Sequence, residues 1–242
     1  MMKDIEKVKS LLMRSLKGRE RMYSLLGRVY EKEVDKDLLS NLLNQREHLL
    51  KHKLIGDVDS NVEDGFEELY VYLNKLDSGK IDQALLELAV DYASLFLGVK
   101  YAREKKGIPH PSESVYLTGY LYQDERDQVL DMYVEEGLVK SPDFTEPEDH
   151  VALEMYFMAH LCRKAIKQLE SGELENLKKT LYTQKKFLTE HILKWIPKLA
   201  DDVIQNADTE FYKAFGKITR GFIRIEKEII EKLIDYANLL IK

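Results

Sequence analysis

The sequence is poor in the residues that mark β-rich, disulfide-bonded or disordered proteins. Its 242 residues include 12 glycines, 5 prolines and a single cysteine, Cys162. One cysteine excludes an intramolecular disulfide framework and every cysteine-rich metal site. The low glycine and proline content argues against an all-β sandwich, a collagen-like chain and a disordered chain.

Long hydrophobic runs are also missing. No stretch of about eighteen consecutive apolar residues occurs, so we expect no stable membrane insertion. The first thirty residues are too charged for the apolar segment of a secretory signal peptide, which favours a cytoplasmic protein. The formal net charge of −6 argues against general nucleic-acid binding.

Sequence motifs of common enzymes are absent as well. The chain has no G-x-x-x-x-G-K-[ST] loop, no G-x-G-x-x-G turn, and neither the E-x-x-H nor the H-E-x-x-H metal motif. His48 and His52 are four residues apart but have no obvious third ligand, so a solvent-exposed helix face explains them better. Cys162 lies on an apolar stripe and is expected in the core. We therefore predict no catalytic residues, no metal and no cofactor.

Apolar residues recur every three or four positions, which is the period of an α-helix with one buried face. The last such series is Phe211, Phe215, Ile218, Phe222, Ile225, Ile229 and Leu233. The pattern predicts an all-α fold of about ten helices. Before the proline-rich region they are expected over 4–17, 19–32, 35–53, 61–77 and 81–97, followed by a shorter helix over 113–122 and one over 124–137. Further helices are expected over 151–169, 177–203 and 211–233, with Pro197 kinking or interrupting the middle one.

Four of the five prolines lie within about forty residues: Pro109, Pro111, Pro142 and Pro147. Since proline ends or restarts helices, we predict an N-terminal helical subdomain over 1–138, a hinge loop over 139–147 and a C-terminal helical subdomain over 148–242. Hinge loops permit exchange of equivalent units between chains, so a monomer and a domain-swapped homodimer are both open.

Charge is concentrated in two segments. Residues 135–149 contain six acids against Lys140, whereas residues 163–198 contain nine bases against four acids. The basic segment is most simply a solvated surface. In the acidic segment, Thr145 and Glu148 form a capping-box pattern, and acids there would favourably face the helix macrodipole. His150, whose charge is tunable near neutral pH, adds to the indication of a polar site.

Four blocks, in order, resemble the TorD/DmsD/NarJ group of redox-enzyme maturation chaperones, particularly its TorD/DmsD branch. The first runs from Tyr92 through Leu95 and Phe96 to Gly98, and the second from Pro111 through Ser114 to Tyr116. The third is the acidic run 146–150 together with Glu154, Phe157 and Met158. The fourth is His191, Trp195 and Pro197, followed by Phe211 and Tyr212.

The resemblance implies a cytoplasmic chaperone that binds the twin-arginine leader of a molybdenum-cofactor oxidoreductase precursor before export. It implies a peptide site at Asp149 and His150, with Glu146 and Glu148 as rim charges. Asp149 would accept a hydrogen bond from a peptide arginine or hold the loop, and His150 would fix the loop or bind peptide backbone. The apolar wall would include Tyr92, Leu95, Phe96 and Tyr116, and Pro111 and Ser114 of the second block would also belong to the peptide site.

Other interpretations stay open from the residues alone. Leu95 and Phe96 could be ordinary core residues, and Ser114 could be the N-cap of the following helix. A NarJ-like chaperone that engages a mature enzyme subunit, a nucleotide-binding helical protein and a simple helical adaptor are the alternative functions.

Overall fold

The computed structural model describes residues 2–49, 60–76, 80–98 and 110–241. These residues form α-helices connected by turns and loops. In chain order the helices are α1 (Met2–Glu31), α2 (Lys36–Leu49), α3 (Ser60–Lys75), α4 (Ile81–Phe96), α5 (Glu113–Thr118), α6 (Asp124–Glu135), α7 (Val151–Ser171), α8 (Leu174–Phe187), α9 (Leu193–Asn206) and α10 (Glu210–Ile241). A π-helical turn, Leu188–Ile192, joins α8 to α9. The predicted all-α class is confirmed.

The core lies where the first helix meets the helices of the C-terminal half. Helix α7 packs against α1 and α8, whereas α10 packs against α1, α3, α8 and α9. The apolar face of α7 is buried, and so is the α10 series apart from the half-buried Ile225, as the three-to-four spacing predicts. Cys162 is fully buried within the α7 face, and burial raises the pKa of its thiol to about 12. Buried residues of both predicted subdomains therefore share one core, and the subdomain division stays a prediction.

Helix α1 corrects the expectation of two helices over 4–17 and 19–32. The chain continues as one helix through Gly18, a residue that costs about 1 kcal/mol relative to alanine in a helix interior. Burial of Leu12 and Leu16 before Gly18, and of Tyr23 and Leu26 after it, offsets that cost. Tertiary packing therefore outweighs the local propensity here.

Pro197 also differs from expectation, because α9 continues through it. The irregularity lies just before, in the π-helical turn that contains His191. The helix predicted over 177–203 is therefore divided at 188–192, upstream of the proline. π-Helical turns within helices are rare and often occur at functional sites.

Two other helices end earlier than predicted. Helix α5 stops at Thr118 because Gly119 takes a left-handed conformation with φ of 85°. Helix α6 stops at Glu135, and Gly137 has φ of 71°. The ends predicted at 53 and 77, the loop over 99–109 and His52 lie outside the described ranges, whereas the helix predicted to end at 97 ends at Phe96. Within those ranges, none of the helices combines the length and the apolar character needed to cross a bilayer.

Candidate functional site

The segment before α5 pairs with the segment before α7. Ser112 and His150 form an isolated antiparallel bridge. The Glu113 amide donates to the Asp149 carbonyl at 3.0 Å, and the Val151 amide donates to the Pro111 carbonyl at 2.8 Å. The second and third sequence blocks are therefore joined through their backbones, although 35 residues separate Ser114 from Asp149.

Asp149 holds this joint together. Its side chain is fully buried, and Oδ2 accepts a hydrogen bond from the Ser114 amide at 2.8 Å. The carboxylate thus satisfies one of the free amides at the start of α5. Of the two roles expected for Asp149, its contacts are those of a loop-holding residue. Ser114 lies inside α5, and the N-cap position belongs to Ser112, which corrects the N-cap interpretation of Ser114.

His150 is the N-cap of α7. Its Nδ1 accepts from the Ala152 amide at 3.1 Å, so the ring hydrogen of the neutral form lies on Nε2. Burial, together with the neighbouring His110, lowers the pKa of His150 to about 3. The imidazole is therefore neutral at physiological pH.

The expected capping box at Thr145 and Glu148 is wrong, because α7 begins six residues after Thr145. Glu148 instead forms ion pairs with Arg126 at 2.5 Å and Lys140 at 3.1 Å. Burial opposes ionisation, but these two cations hold the pKa of Glu148 below its ordinary value. The negative charge of Glu148 is therefore compensated by Arg126 and Lys140, and not by the helix macrodipole.

A buried acidic cluster lies behind the joint. Glu113 Oε2 is 2.8 Å from His191 Nδ1, and Glu154 Oε2 accepts from the Trp195 indole at 3.1 Å. Both carboxyl groups are fully buried. Burial raises the pKa of each carboxyl group, and the pKa of Glu154 is raised further by Glu113. This cluster fixes α5 and α7 against the π-helical turn and α9.

A cleft of about 910 Å³ opens beside the joint, between the end of α1, helix α4 and the segment 143–150. Its apolar surface includes Tyr92, Phe96 and Phe144, with Pro111 and His150 at the joint. Five carboxylate residues line it: Glu31, Glu33, Asp35, Asp143 and Glu146. We call this site the acidic cleft.

Not all of these carboxylates have partners. Asp35 pairs with Arg28 at 2.5 Å, and Glu31 accepts a hydrogen bond from the Tyr156 hydroxyl at 2.8 Å. Three others have no ion-pair partner among the residues that the structure describes: Glu33, Asp143 and Glu146. All three are exposed. The cleft therefore joins apolar surface to uncompensated negative charge.

Only some of the peptide-site residues expected from the sequence line the acidic cleft. Tyr92, Phe96, Pro111, Glu146 and His150 line it. The remaining expected residues lie outside its lining: Leu95, Ser114, Tyr116, Glu148 and Asp149. Of these, Leu95 is a core residue. The Tyr116 hydroxyl donates to Asp202 at 2.8 Å on another side of α5.

Comparison with known proteins identifies the family. The family model described as the nitrate reductase delta subunit matches residues 56–201, more than half of the chain. The chaperone protein TorD of Vibrio cholerae serotype O1 is 31% identical over 167 residues, covering 69% of this chain and 71% of that protein. The chain belongs to the TorD-like chaperone family. The resemblance drawn from the four sequence blocks is confirmed.

One further relative of this TorD-like chaperone and one solved structure are similar to it over more of the chain. The chaperone protein TorD of Shewanella pealeana is 26% identical over 223 residues, covering 88% of this chain and 90% of that protein. A crystal structure from Archaeoglobus fulgidus, described as a redox enzyme maturation protein, gives a TM-score of 0.49 with 19% identity. It covers 85% of this chain and 93% of that one.

The four sequence blocks of the TorD-like family meet in space. Phe96 of the first block contacts Tyr212 of the fourth, with ring centroids 6.1 Å apart. The second block contacts the third through the Ser112–His150 bridge and the fourth through the Glu113–His191 pair. The described residues of the four blocks are therefore connected to one another, and the first three blocks contribute residues to the lining of the acidic cleft.

Sequence reasoning missed one wall of the cleft in this TorD-like chaperone. Glu31, Glu33 and Asp35, at the end of α1 and the turn after it, form that wall. Their alternation with Lys32 and Val34 looks like an ordinary charged turn, so no local signal could have found them. Within the described residues, no group of three or more His, Cys, Asp or Glu side chains is arranged to hold a metal ion.

Proposed function

We propose that this TorD-like protein is a cytoplasmic chaperone that binds the twin-arginine leader of a molybdenum-cofactor oxidoreductase precursor. Binding would protect the leader and delay export until the cofactor is inserted. The leader enters the acidic cleft, with its arginines at the carboxylate rim and its apolar part against the aromatic surface. The observation that carries the proposal is the position of Glu33, Asp143 and Glu146 beside Tyr92 and Phe96.

The charge of the cleft suits guanidinium groups. Arginine presents a planar fork of donors that can bind a carboxylate through two hydrogen bonds. Glu33 lies in the turn after α1, whereas Asp143 and Glu146 belong to the segment before α7, so two separate parts of the chain supply the carboxylates of the cleft. Two consecutive arginine side chains of an extended peptide point to opposite sides, so each can meet carboxylates from one of these parts.

The interior of the cleft suits the apolar part of a leader. Tyr92 and Phe96 have ring centroids 5.0 Å apart, and Phe144 contacts the His150 ring at 5.2 Å. Burial raises the pKa of the Tyr92 hydroxyl, and Glu146 adds to the effect. Tyr92 therefore presents a neutral ring, and the Nε2–H of His150 is suited to donate to a peptide carbonyl.

Calorimetry with a synthetic twin-arginine leader peptide tests the proposal. We expect binding that weakens as salt rises, because screened charge pairs contribute to it. Exchange of both peptide arginines for glutamine should abolish most of the affinity. The single variants Glu33→Gln, Asp143→Asn and Glu146→Gln should each weaken binding by about two- to fivefold, as for exposed ion pairs.

Glu228→Gln provides the matched control, because Glu228 is an exposed residue of α10 outside the cleft. This variant should bind the leader as the parent chain does. Equal affinity of the parent for the arginine and glutamine peptides would refute the proposal. An effect of Glu228→Gln as large as that of Glu146→Gln would place the peptide elsewhere.

A second function is favoured by one observation, the match to the nitrate reductase delta subunit family. In this alternative the chain is a NarJ-like assembly chaperone for a mature enzyme subunit. Capture of clients from native extract distinguishes the two. A client that lacks a twin-arginine leader and is retained equally by the Glu33→Gln/Glu146→Gln variant would favour the alternative.

A further inference from the structure

An exposed row of lysines follows α8, the π-helical turn and α9. The row consists of Lys179, Lys186, Lys194 and Lys198, and we call it the lysine row. All four are exposed, as is Tyr182 between the first two. Buried residues of the same segment mark the opposite face: Leu181, Phe187, Leu188, Trp195 and Leu199. The π-helical turn thus leaves the lysines of α8 and of α9 on a common solvent face.

The positive charge of the row is not neutralised within the described part of the chain. Lys185, beside the row, pairs with Glu231 at 2.7 Å. The row lysines have no ion-pair partner among the described residues, and Lys198 Nζ lies 5.6 Å from the centre of the Tyr116 ring. One exposed acid, Glu190, lies within the row. The face is therefore cationic although the whole chain carries a formal charge of −6.

Beyond the row lie Asp201 and Asp202, but both are engaged. Asp201 pairs with Arg220 at 2.7 Å, and Asp202 accepts the Tyr116 hydroxyl at 2.8 Å. The charge of Asp201 is therefore compensated by a cation, whereas Asp202 binds a neutral hydroxyl and keeps its negative charge at the end of the row.

An exposed apolar segment begins beside the last lysine of the row. After Tyr116, the chain exposes Leu117, Tyr120, Leu121 and Tyr122. Tyr120 is 71% exposed and Tyr122 is 63% exposed. Tyr122 has φ of 58°, a left-handed conformation that is uncommon for a bulky residue and is associated with functional positions.

We propose that the lysine row docks this protein on an anionic phospholipid surface, with residues 117–122 as an apolar anchor. Lysine is depleted at protein–protein interfaces, whereas arginine is enriched there, and the row contains lysine alone. The aliphatic part of a lysine side chain can lie along apolar surface while its ammonium group reaches an anionic headgroup. Tyrosine is enriched at membrane–water interfaces, where its ring and hydroxyl suit the headgroup level.

The two parts of this surface have different roles. The first turn of α6, which follows the loop, contains Asp124, Glu125 and Asp127. The loop therefore supplies apolar contact, and the electrostatic attraction comes from the row. Docking of this kind is peripheral and salt-sensitive, since each lysine near an anionic membrane contributes a modest, screened attraction.

Co-sedimentation of the full chain with phosphatidylglycerol vesicles tests the proposal, with phosphatidylcholine vesicles as the uncharged comparison. We expect binding to the anionic vesicles alone and release at high salt. Lys186→Gln/Lys194→Gln should lower the partition coefficient about 25-fold, from about fivefold for each lysine. Tyr120→Ser/Tyr122→Ser should weaken binding while leaving its salt dependence unchanged.

Lys36→Gln/Lys75→Gln is the charge-matched control, because these exposed lysines belong to α2 and α3. It should bind as the parent does, and circular dichroism should show equal folding of all variants. Failure of the parent to bind anionic vesicles, or an equal loss in the control, would overturn the proposal. Binding of a poly-glutamate peptide instead of vesicles would assign the row to an acidic protein partner. Leader binding in the acidic cleft is measured separately and is independent of these outcomes.

Discussion

Asp149 and His150 show at the residue scale how burial decides the role of a polar side chain. Both belong to the block that carries the family resemblance, and both are buried at the joint between α5 and α7. Asp149 accepts a backbone amide, and His150 caps α7. The exposed charge beside them comes from Glu146. Asp149 and His150 therefore fix the joint beside the cleft, and Glu146 of the same block supplies exposed charge at its rim.

His150 makes folding stability depend on pH. Its ordinary pKa of 6.5 falls to about 3 in the folded chain, so below pH 6.5 the unfolded chain takes up a proton that the folded chain excludes. Stability should therefore decrease as pH falls, by about 2 kcal/mol at pH 5 from this residue. His150→Asn keeps an N-capping side chain and removes the titration. Urea denaturation of both proteins at pH 7 and pH 5 measures the difference.

Glu113 and Glu154 titrate in the same experiment, but they are present in both proteins and cancel in the comparison. Their pKa values are raised by burial, so their contribution is greatest at low pH and is lost as pH rises. An unchanged pH dependence in His150→Asn would show that the proton is not excluded from this ring.

At the scale of elements, close contact between helices depends on glycine where α3 crosses α10. A Cβ built on Gly65 would lie 2.7 Å from Ile218 Cγ1, and one on Gly221 would lie 2.7 Å from the Val62 nitrogen. The two helices therefore approach each other more closely than side chains at these positions would allow. No periodicity in the sequence marks these glycines as contact points.

Gly221→Ala should destabilise the fold by about 1–3 kcal/mol, because the added methyl group meets backbone that cannot move without shifting α3. Gly18→Ala is the matched control, since nothing lies within 4 Å of the position its Cβ would take in α1. That variant should gain up to about 1 kcal/mol from helix propensity. Thermal unfolding distinguishes the two, and a stabilised Gly221→Ala would contradict the close crossing.

At the scale of the whole molecule, a buried ion pair joins the two ends of the chain. Arg19 of α1 binds Glu226 of α10, with Nη2 and Oε2 2.7 Å apart, and Tyr23 donates to the same carboxylate at 2.5 Å. Arg19 also donates to Gln184 of α8 at 2.5 Å. The first helix is thus fixed to elements more than 160 residues away in sequence.

Glu226→Leu should cost about 3–5 kcal/mol in chemical denaturation, because it leaves the Arg19 guanidinium buried without its counter-charge. Arg19→Met/Glu226→Leu should recover most of that loss, since replacing both charges removes the desolvation cost. Equal losses in the single and double variants would show that the pair itself is not the source of the stability.

The predicted hinge over 139–147 raises the question of whether two chains can exchange their C-terminal halves. Exchange of residues 148–242 between two chains would have to preserve the α1–α7 and α3–α10 contacts by supplying them from the other copy. We propose that a swapped homodimer, where it forms, retains the Arg19–Glu226 pair between chains. The monomer and this dimer therefore contain the same buried pair.

The sequence by itself determined the all-α class, most helix positions and the family. Helical periodicity and the four blocks are local patterns. They involve residues that are close together in the chain, so the order of residues alone shows them. Only the tertiary structure decided that Glu33 faces the same cleft as Glu146, that His191 binds Glu113, and that α1 is a single helix. These features depend on contacts between residues far apart in the chain, and their free energy exists only once the helices are packed together.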